Sequence, residues 1–312
     1  MPQSGENTTG EFAISVRDLK KSYGSNHAVK GINLDIRQGE VFALLGPNGA
    51  GKTTTVEILE GHRDRDHGEV SVLGHDPRNG DSEFKDRIGI VLQTTGVEPY
   101  LSIEETIDLY RSFYTDPRKT SDILEITGLA ELRNSKVRKL SGGQQRRLDV
   151  AVGLAGNPEL LFLDEPTTGF DPIARREAWD MVANLRSLGK TVVLTTHYMD
   201  EAENLADRVA LIVEGRIVSE GEPSQLSNLN SITTIAFDYP EGHDDVPGIM
   251  QTTSDGEPGK VEIETSEPTK VLSEITAWAN QKSIELHRLT VSRASLEDVY
   301  IDLVESSSKD AD

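Results

Sequence analysis

Gly46-Pro47-Asn48-Gly49-Ala50-Gly51-Lys52-Thr53 fits the pattern G-x-x-x-x-G-K-[ST]. The apolar run Val41-Phe-Ala-Leu-Leu45 precedes it and reads as a buried strand. Thr54-Thr-Val-Glu-Ile-Leu59 follows and reads as the start of a helix. Glycines at 46, 49 and 51 let the backbone turn tightly and aim N–H groups at an anion. The helix start adds its own unsatisfied N–H groups and partial positive charge. Lys52 reaches the β- and γ-phosphates of a nucleotide, and the Thr53 hydroxyl suits Mg²⁺. A glycine-rich turn in an ordinary strand–helix unit is the plainer alternative, and the strand and helix flanks weigh against it. This stretch predicts a bound nucleoside triphosphate and leaves open what the triphosphate is used for.

Bulk composition narrows the classes. A chain of 312 residues is long for one domain, and its hydrophobic fraction of 36% is ordinary for a globular protein. The net charge of −21 argues against a nucleic-acid partner, which needs a basic stripe to displace counterions. It also argues against docking on anionic lipid by charge, and a solvated acidic surface accounts for it. With no cysteine, neither a disulfide nor a thiolate metal site can form, as fits the cytoplasm. Residues 1–10 lack the apolar core of a secretory signal, and no run approaches the ~20 apolar residues of a membrane span. Any membrane role is therefore expected to go through a partner.

Periodicity divides the chain. Phe12–Leu19 and Ala28–Ile36 alternate like strands, and Gln38-Gly39-Glu40 reads as a hairpin turn into the strand at 41–45. Arg87–Leu92 is a further strand. From Gly96 the spacing turns helical, with apolar residues at 103, 107, 110, 113 and 114 behind a Ser102/Glu105 capping box. Residues 97–150 are thus expected to form a helical insertion in an α/β core. Helices are expected at Glu177–Leu188 and Asp200–Ala206, a strand at Thr191–Thr195 and a hairpin turning at Glu214-Gly215. The pattern breaks near Ser227–Ser231. Strands at Thr233–Tyr239, Lys260–Thr265 and Glu285–Val291 and helices at Thr269–Lys282 and Leu296–Val304 then predict a small α+β domain. The expected division is a disordered tail at 1–10, a nucleotide-binding domain at 11–230, an accessory domain at 231–305 and a tail at 306–312.

Leu160-Leu-Phe-Leu-Asp-Glu165 is an apolar strand ending in two carboxylates. In an open α/β sheet the C-terminal strand edge is where ligands bind. Asp164 suits Mg²⁺, a hard ion that takes oxygen ligands. Glu165 is placed to take a proton from, or orient, the water that attacks the γ-phosphate. Leu140-Ser141-Gly142-Gly143-Gln144 sits before the helix expected at Gln145–Leu154. A Ser cap with bare N–H groups at a helix start makes a second anion site.

With these three motifs in order, residues 11–230 resemble the ATP-binding subunit of an ABC transporter: an α/β P-loop NTPase with a RecA-like core, an antiparallel β subdomain and a helical subdomain. Leu140–Gln144 matches that family's signature at every position. The resemblance implies an ATPase whose ATP and Mg²⁺ are held by residues 46–54, Thr54 included. It implies that two copies sandwich ATP head to tail, so that Ser141, Gly142, Gly143 and Gln144 contact the ATP on the other copy's Lys52. By the same match Tyr23 stacks on adenine. Gln93 touches Mg²⁺ and the attacking water at the entry to the helical insertion, a hinge. His197 contacts the γ-phosphate, and Asp171 in Gly169-Phe-Asp-Pro172 couples the two sites. Thr53, Gln93 and Asp164 are the implied Mg²⁺ ligands. Phe170 departs from the family's more frequent leucine, which predicts altered packing there.

Within the family, Arg146-Arg-Leu-Asp-Val-Ala151, Thr168–Pro172 and Ser295-Leu-Glu-Asp-Val299 most resemble daunorubicin-type drug exporters. Those pair with a separate permease, which implies a peripheral position on the cytoplasmic face of the cell membrane. Two other readings stand beside transport: a soluble ABC ATPase acting on ribosomes or DNA, and a nucleotide-sensing module. The single cassette and the acidic charge weigh against the first, and Glu165 with His197 against the second.

Overall fold

The computed structural model describes residues 12–92, 96–227, 233–238, 260–293 and 300. Gln93, both chain ends, Tyr239, the acidic segment that follows it and nearly all of the helix expected at Leu296–Val304 lie outside the described residues. Two compact units divide the chain, Met1–Pro223 and Ser224–Asp312.

The first unit contains two sheets. One is antiparallel, with β1 (Phe12–Tyr23) central between β2 (Asn26–Arg37) and β4 (His67–Val72). The other has six strands in the order β5 (Ile88–Val91), β6 (Leu160–Asp164), β7 (Thr191–Thr196), β3 (Val41–Leu45), β8 (Arg208–Val213) and β9 (Arg216–Gly221). Strands β5, β6, β7, β3 and β8 are parallel, and only β9 runs against its neighbour. All residues of β3 and β7 are buried, as expected of parallel strands covered on both faces, which read as continuous apolar runs. The ends of β3, β5, β6 and β7 therefore share one edge.

The hairpin expected at Gln38–Glu40 does not form. Strand β2 pairs only with β1 among the described residues, and β3 crosses into the parallel sheet between β7 and β8. A two-residue turn fits an antiparallel pair, but the uninterrupted apolar character of Val41–Leu45 demands cover on both faces. The hairpin at Glu214-Gly215 does form, with both residues at positive φ as a tight hairpin turn needs.

Helix α1 (Lys52–Leu59) follows β3, and α2 (Ser82–Arg87) leads into β5. Between β5 and β6 lie α3 (Ile103–Arg111), α4 (Thr120–Ile126) and α5 (Gly142–Gly153). The capping box at Ser102 and Glu105 is formed on both sides. Helix α6 (Pro172–Ser187) precedes β7, α7 (Met199–Leu205) follows it, and one turn, α8 (Pro223–Ser227), ends the run. Helix α6 starts earlier than the Glu177 expected. Asp171 caps it, its Oδ1 accepting from Ile173 and Ala174 N–H, and Pro172 occupies the first turn.

The second unit is a sheet of β10 (Thr233–Asp238) flanked by β11 (Lys260–Thr265) and β12 (Thr290–Arg293), with α9 (Pro268–Lys282) against it. Ile235, Phe237, Ile263, Ile275 and Trp278 form its core. The last strand begins at Thr290, later than the Glu285 expected.

Candidate functional site

The loop between β3 and α1 is fastened from three directions. Gly46 N–H donates to the Thr196 carbonyl at the end of β7 (3.3 Å), and Gly215 N–H donates to the Ala50 carbonyl (2.9 Å). The Gly215 carbonyl in turn accepts from Lys30 N–H of β2 (2.8 Å). Gly51 caps α1 at φ 104°, where a Cβ would lie 2.4 Å from the Ala28 carbonyl oxygen. Only glycine fits there. Lys52 is 4% exposed, and its Nζ donates to the carbonyls of Gly46 (2.7 Å) and Pro47 (3.1 Å). Burial pulls its pKa below the ordinary lysine value, while Glu165 and Asp164 oppose that. Asn48, Gly49 and Thr53 are exposed and Thr54 half-buried, so the loop's outer surface is open to solvent.

The acidic pair leaves β6 beside this loop. Thr195 Oγ1 donates to Asp164 Oδ1 (2.5 Å) and accepts from Glu165 N–H (3.1 Å). Glu165 has φ 45°, left-handed backbone that costs a non-glycine residue roughly 1–2 kcal/mol. Strain of this kind concentrates at functional sites. Its carboxylate is held on both oxygens: Thr168 Oγ1 donates to Oε2 (3.0 Å), and His197 Nδ1 lies 3.2 Å from Oε1. The structure thus brings together Lys52, Asp164, Glu165 and His197. Thr168 and Thr195 were not singled out by spacing, and no motif logic marks a hydroxyl as a carboxylate's partner.

The Ser141–Gln144 segment lies elsewhere. Ser141 Oγ accepts from Gln144 N–H (3.3 Å), and Gln144 Oε1 accepts from Ser141 N–H (3.0 Å), closing a capping box at the start of α5. Helix α5 therefore begins three residues before the Gln145 expected. Ser141 and Gly142 are exposed. They open a cleft of about 490 Å³ shared with Gly169, Phe170, Asp171 and Glu177. Among the described residues no part of Gly46–Thr53 lines it. Phe170, half-buried, is one of the residues lining this cleft. Arg147 pairs with Glu177, tying α5 to α6. Tyr23 ends β1, 41% exposed, with the Arg63 guanidinium 5.3 Å from its ring centre.

A third feature escaped the sequence reading. A groove of about 510 Å³ is lined by Phe84, Ile88, Ile90, Leu92, Tyr110 and Tyr114, with Glu60 in its wall. Glu60 is 6% exposed, 3.2 Å from His62 Nδ1. Burial, reinforced by Asp164 and Glu57, pushes its pKa up to about 8 from an ordinary 4.5. The folded chain then keeps a proton that the unfolded chain has lost, so stability falls as pH rises from 4.5 to about 8. Glu60→Gln is expected to gain stability over the parent as pH rises from 5 to 8, by on the order of 2 kcal/mol. Thermal unfolding of both proteins across that range checks it, and a difference independent of pH sinks it.

Comparisons with known proteins give the chain relatives over most of its length. Residues 29–168 match the family model described as ABC transporter. Residues 233–295 match one described as the C-terminal domain of ABC transporter domain-containing proteins. The chain is 34% identical to the daunorubicin resistance ATP-binding protein DrrA2 of Streptomyces coeruleorubidus, over 94% of this chain and 95% of that protein. It is 32% identical to the linearmycin resistance ATP-binding protein LnrL of Bacillus subtilis, over 95% and 100%. Among solved structures, a dimeric ATP-binding cassette in a post-hydrolysis state, bound to ADP and Pi, superposes with a TM-score of 0.59 at 28% identity. The match covers 67% of this chain and 98% of that one.

Proposed function

The chain belongs to the ABC transporters as an ATP-hydrolysing subunit of the exporter kind, and from that premise we propose how its residues divide the work. Lys52 and the N–H groups of residues 46–54 hold the triphosphate. Tyr23 receives the adenine. Glu165 takes a proton from the attacking water, with its carboxylate aimed by Thr168 and His197, and His197 also faces the γ-phosphate. Gln93, two residues past the end of β5 in sequence, completes the water's surroundings. Thr53, Gln93 and Asp164 would hold Mg²⁺. The donor set fits that ion: Asp164 keeps an oxygen beyond the one bonded to Thr195, and Mg²⁺ takes few protein ligands beside phosphate and water. Bound there, Mg²⁺ neutralises charge on the phosphates.

One observation carries the composite site. The signature segment opens a solvent-facing cleft with the Asp171 loop, and the phosphate loop takes no part in that cleft. A second copy, placed head to tail, fills both half-sites at once, and Asp171 lies where the two sites meet. Closure and reopening of that dimer drive a separate permease, reached through the helical segment at 97–150. Among the described residues no helix is long and apolar enough to cross a membrane. The subunit works at the cytoplasmic face, its cargo a drug-like or lipophilic compound, with residues 231–305 as an accessory domain. The chain has no cysteine, so labels are site-specific. Asn48→Cys/Gln145→Cys is expected to give an intermolecular bismaleimide cross-link that requires ATP. A yield unchanged by ATP contradicts the head-to-tail arrangement.

A further inference from the structure

Arg146 lies on the inner face of α5, 6% exposed, with Asp149, Val150 and Gly153 on the same stripe. Its guanidinium reaches three backbone carbonyls on two segments of the nucleotide site. Nη1 donates to Leu92, Nη2 to Asp164 (2.9 Å) and Nε to Pro166 (3.2 Å). Asp149 Oδ2 stands 3.9 Å from Nη1. Leu92 immediately precedes Gln93, and Asp164 and Pro166 flank Glu165 on both sides. Farther along α5 the helix is wedged against the same strand: a Cβ on Gly89 would meet the Gly153 carbonyl at 2.3 Å.

We propose that Arg146 is a positioning residue for ATP hydrolysis, setting the segments at Leu92 and at Asp164–Pro166, and so Glu165, in fixed register with the helix that follows Ser141. The guanidinium's planar fork is what makes this work. Its donors are rigidly related, so the three carbonyls cannot shift independently. A buried cation without those acceptors would be strongly unfavourable, so the ends of β5 and β6 are held to α5 as one body. Whatever rotates the signature end of α5 against its partner's nucleotide also moves the backbone on both sides of Glu165. This rests on the reading of Glu165 given above.

The test is steady-state ATP turnover of the purified full chain carrying Arg146→Met or Arg146→Lys, with equilibrium binding of a fluorescent ATP analogue and thermal unfolding measured alongside. Arg146→Met is expected to lower kcat about 30-fold or more, since an ångström-scale misplacement of a catalytic group has effects of that order. KM and analogue affinity stay within about threefold, because Lys52 and its loop are untouched. Arg146→Lys, which keeps the charge but not the fork, is expected to lose about fivefold or more in kcat at unchanged KM. On a Glu165→Gln background Arg146→Met is expected to cost almost nothing further, because the group it positions is gone. Either single variant turning over at the parental rate overturns the proposal. So does a loss of analogue binding in step with the loss of turnover, and so does a full additional loss on the Glu165→Gln background. If Arg146→Met does not fold, Arg146→Lys decides alone. The Glu165→Gln protein by itself measures the underlying reading, so a parental rate there would count against Glu165 separately.

Discussion

Glu165→Gln is expected to reduce ATP turnover roughly 10²-fold or more while leaving nucleotide affinity near that of the parent. The amide matches the carboxylate in size and can keep the Thr168 hydrogen bond. It cannot accept the water's proton. The substitution also removes a negative charge that helps hold the buried Lys52 protonated. That change lowers the lysine's pKa somewhat, but the Gly46 and Pro47 carbonyls still accept from its ammonium, so binding survives. A further consequence is that the variant should accumulate as an ATP-bound dimer, seen as a doubling of mass by light scattering when ATP and Mg²⁺ are added. Parental turnover would show that Glu165 is not the base. Lost binding would show that the carboxylate serves the loop's structure instead.

The second large effect is at Ser141. Ser141→Arg is expected to abolish measurable turnover, by about 10²-fold or more, with the affinity of the single chain for ATP unchanged within about threefold. Two magnitudes separate the explanations. Losing the Ser cap costs roughly 1 kcal/mol of stability, too little to unfold a domain of this size. The arginine, by contrast, projects a long cation into the cleft shared by Gly142 and Asp171, where the proposed head-to-tail dimer puts a second copy's nucleotide. Ser141→Ala loses the same cap without the bulk, and it should keep much more turnover than Ser141→Arg at a similar melting temperature. Equal losses in the two variants would mean that the cap, not the cleft, is what turnover needs. Weakened ATP binding by the isolated Ser141→Arg chain would contradict the division of the site between two copies.

Local features are legible in the sequence. The loop at 46–53, the acids at 164 and 165 and the serine before α5 are each defined within a few residues, where spacing and capping chemistry act. What spacing could not supply was pairing at a distance. Gln38–Glu40 looks like a hairpin because turns are read locally, yet β3 is claimed by strands far downstream. The start of α6 was misplaced for another reason. Asp171-Pro172 is a good N-cap and first turn, but the family match at this segment speaks to coupling and says nothing of its backbone. Arg146 carried one faint sign: it shares a helical face with buried Val150 and Gly153, an odd place for a cation. Its three acceptors come from two segments distant in sequence and meet only in the fold. Glu60 carried no sign at all, since the neighbours that raise its pKa are assembled by tertiary packing.

The position of β3 also sets a timetable. Val41 lies beside Val192, and Phe42 beside Arg208. A strand whose neighbours are both encoded so late cannot be sheltered while the chain is still emerging from the ribosome. Contacts this distant in sequence slow folding, and an unpaired apolar strand invites aggregation while it waits. The loop that binds ATP hangs from that strand and is also fastened at Thr196 and Gly215. The nucleotide pocket, though written near the beginning of the message, is thus among the last parts of its unit to take shape. Chains cut short before β8 would expose Val41–Leu45 and have no working site.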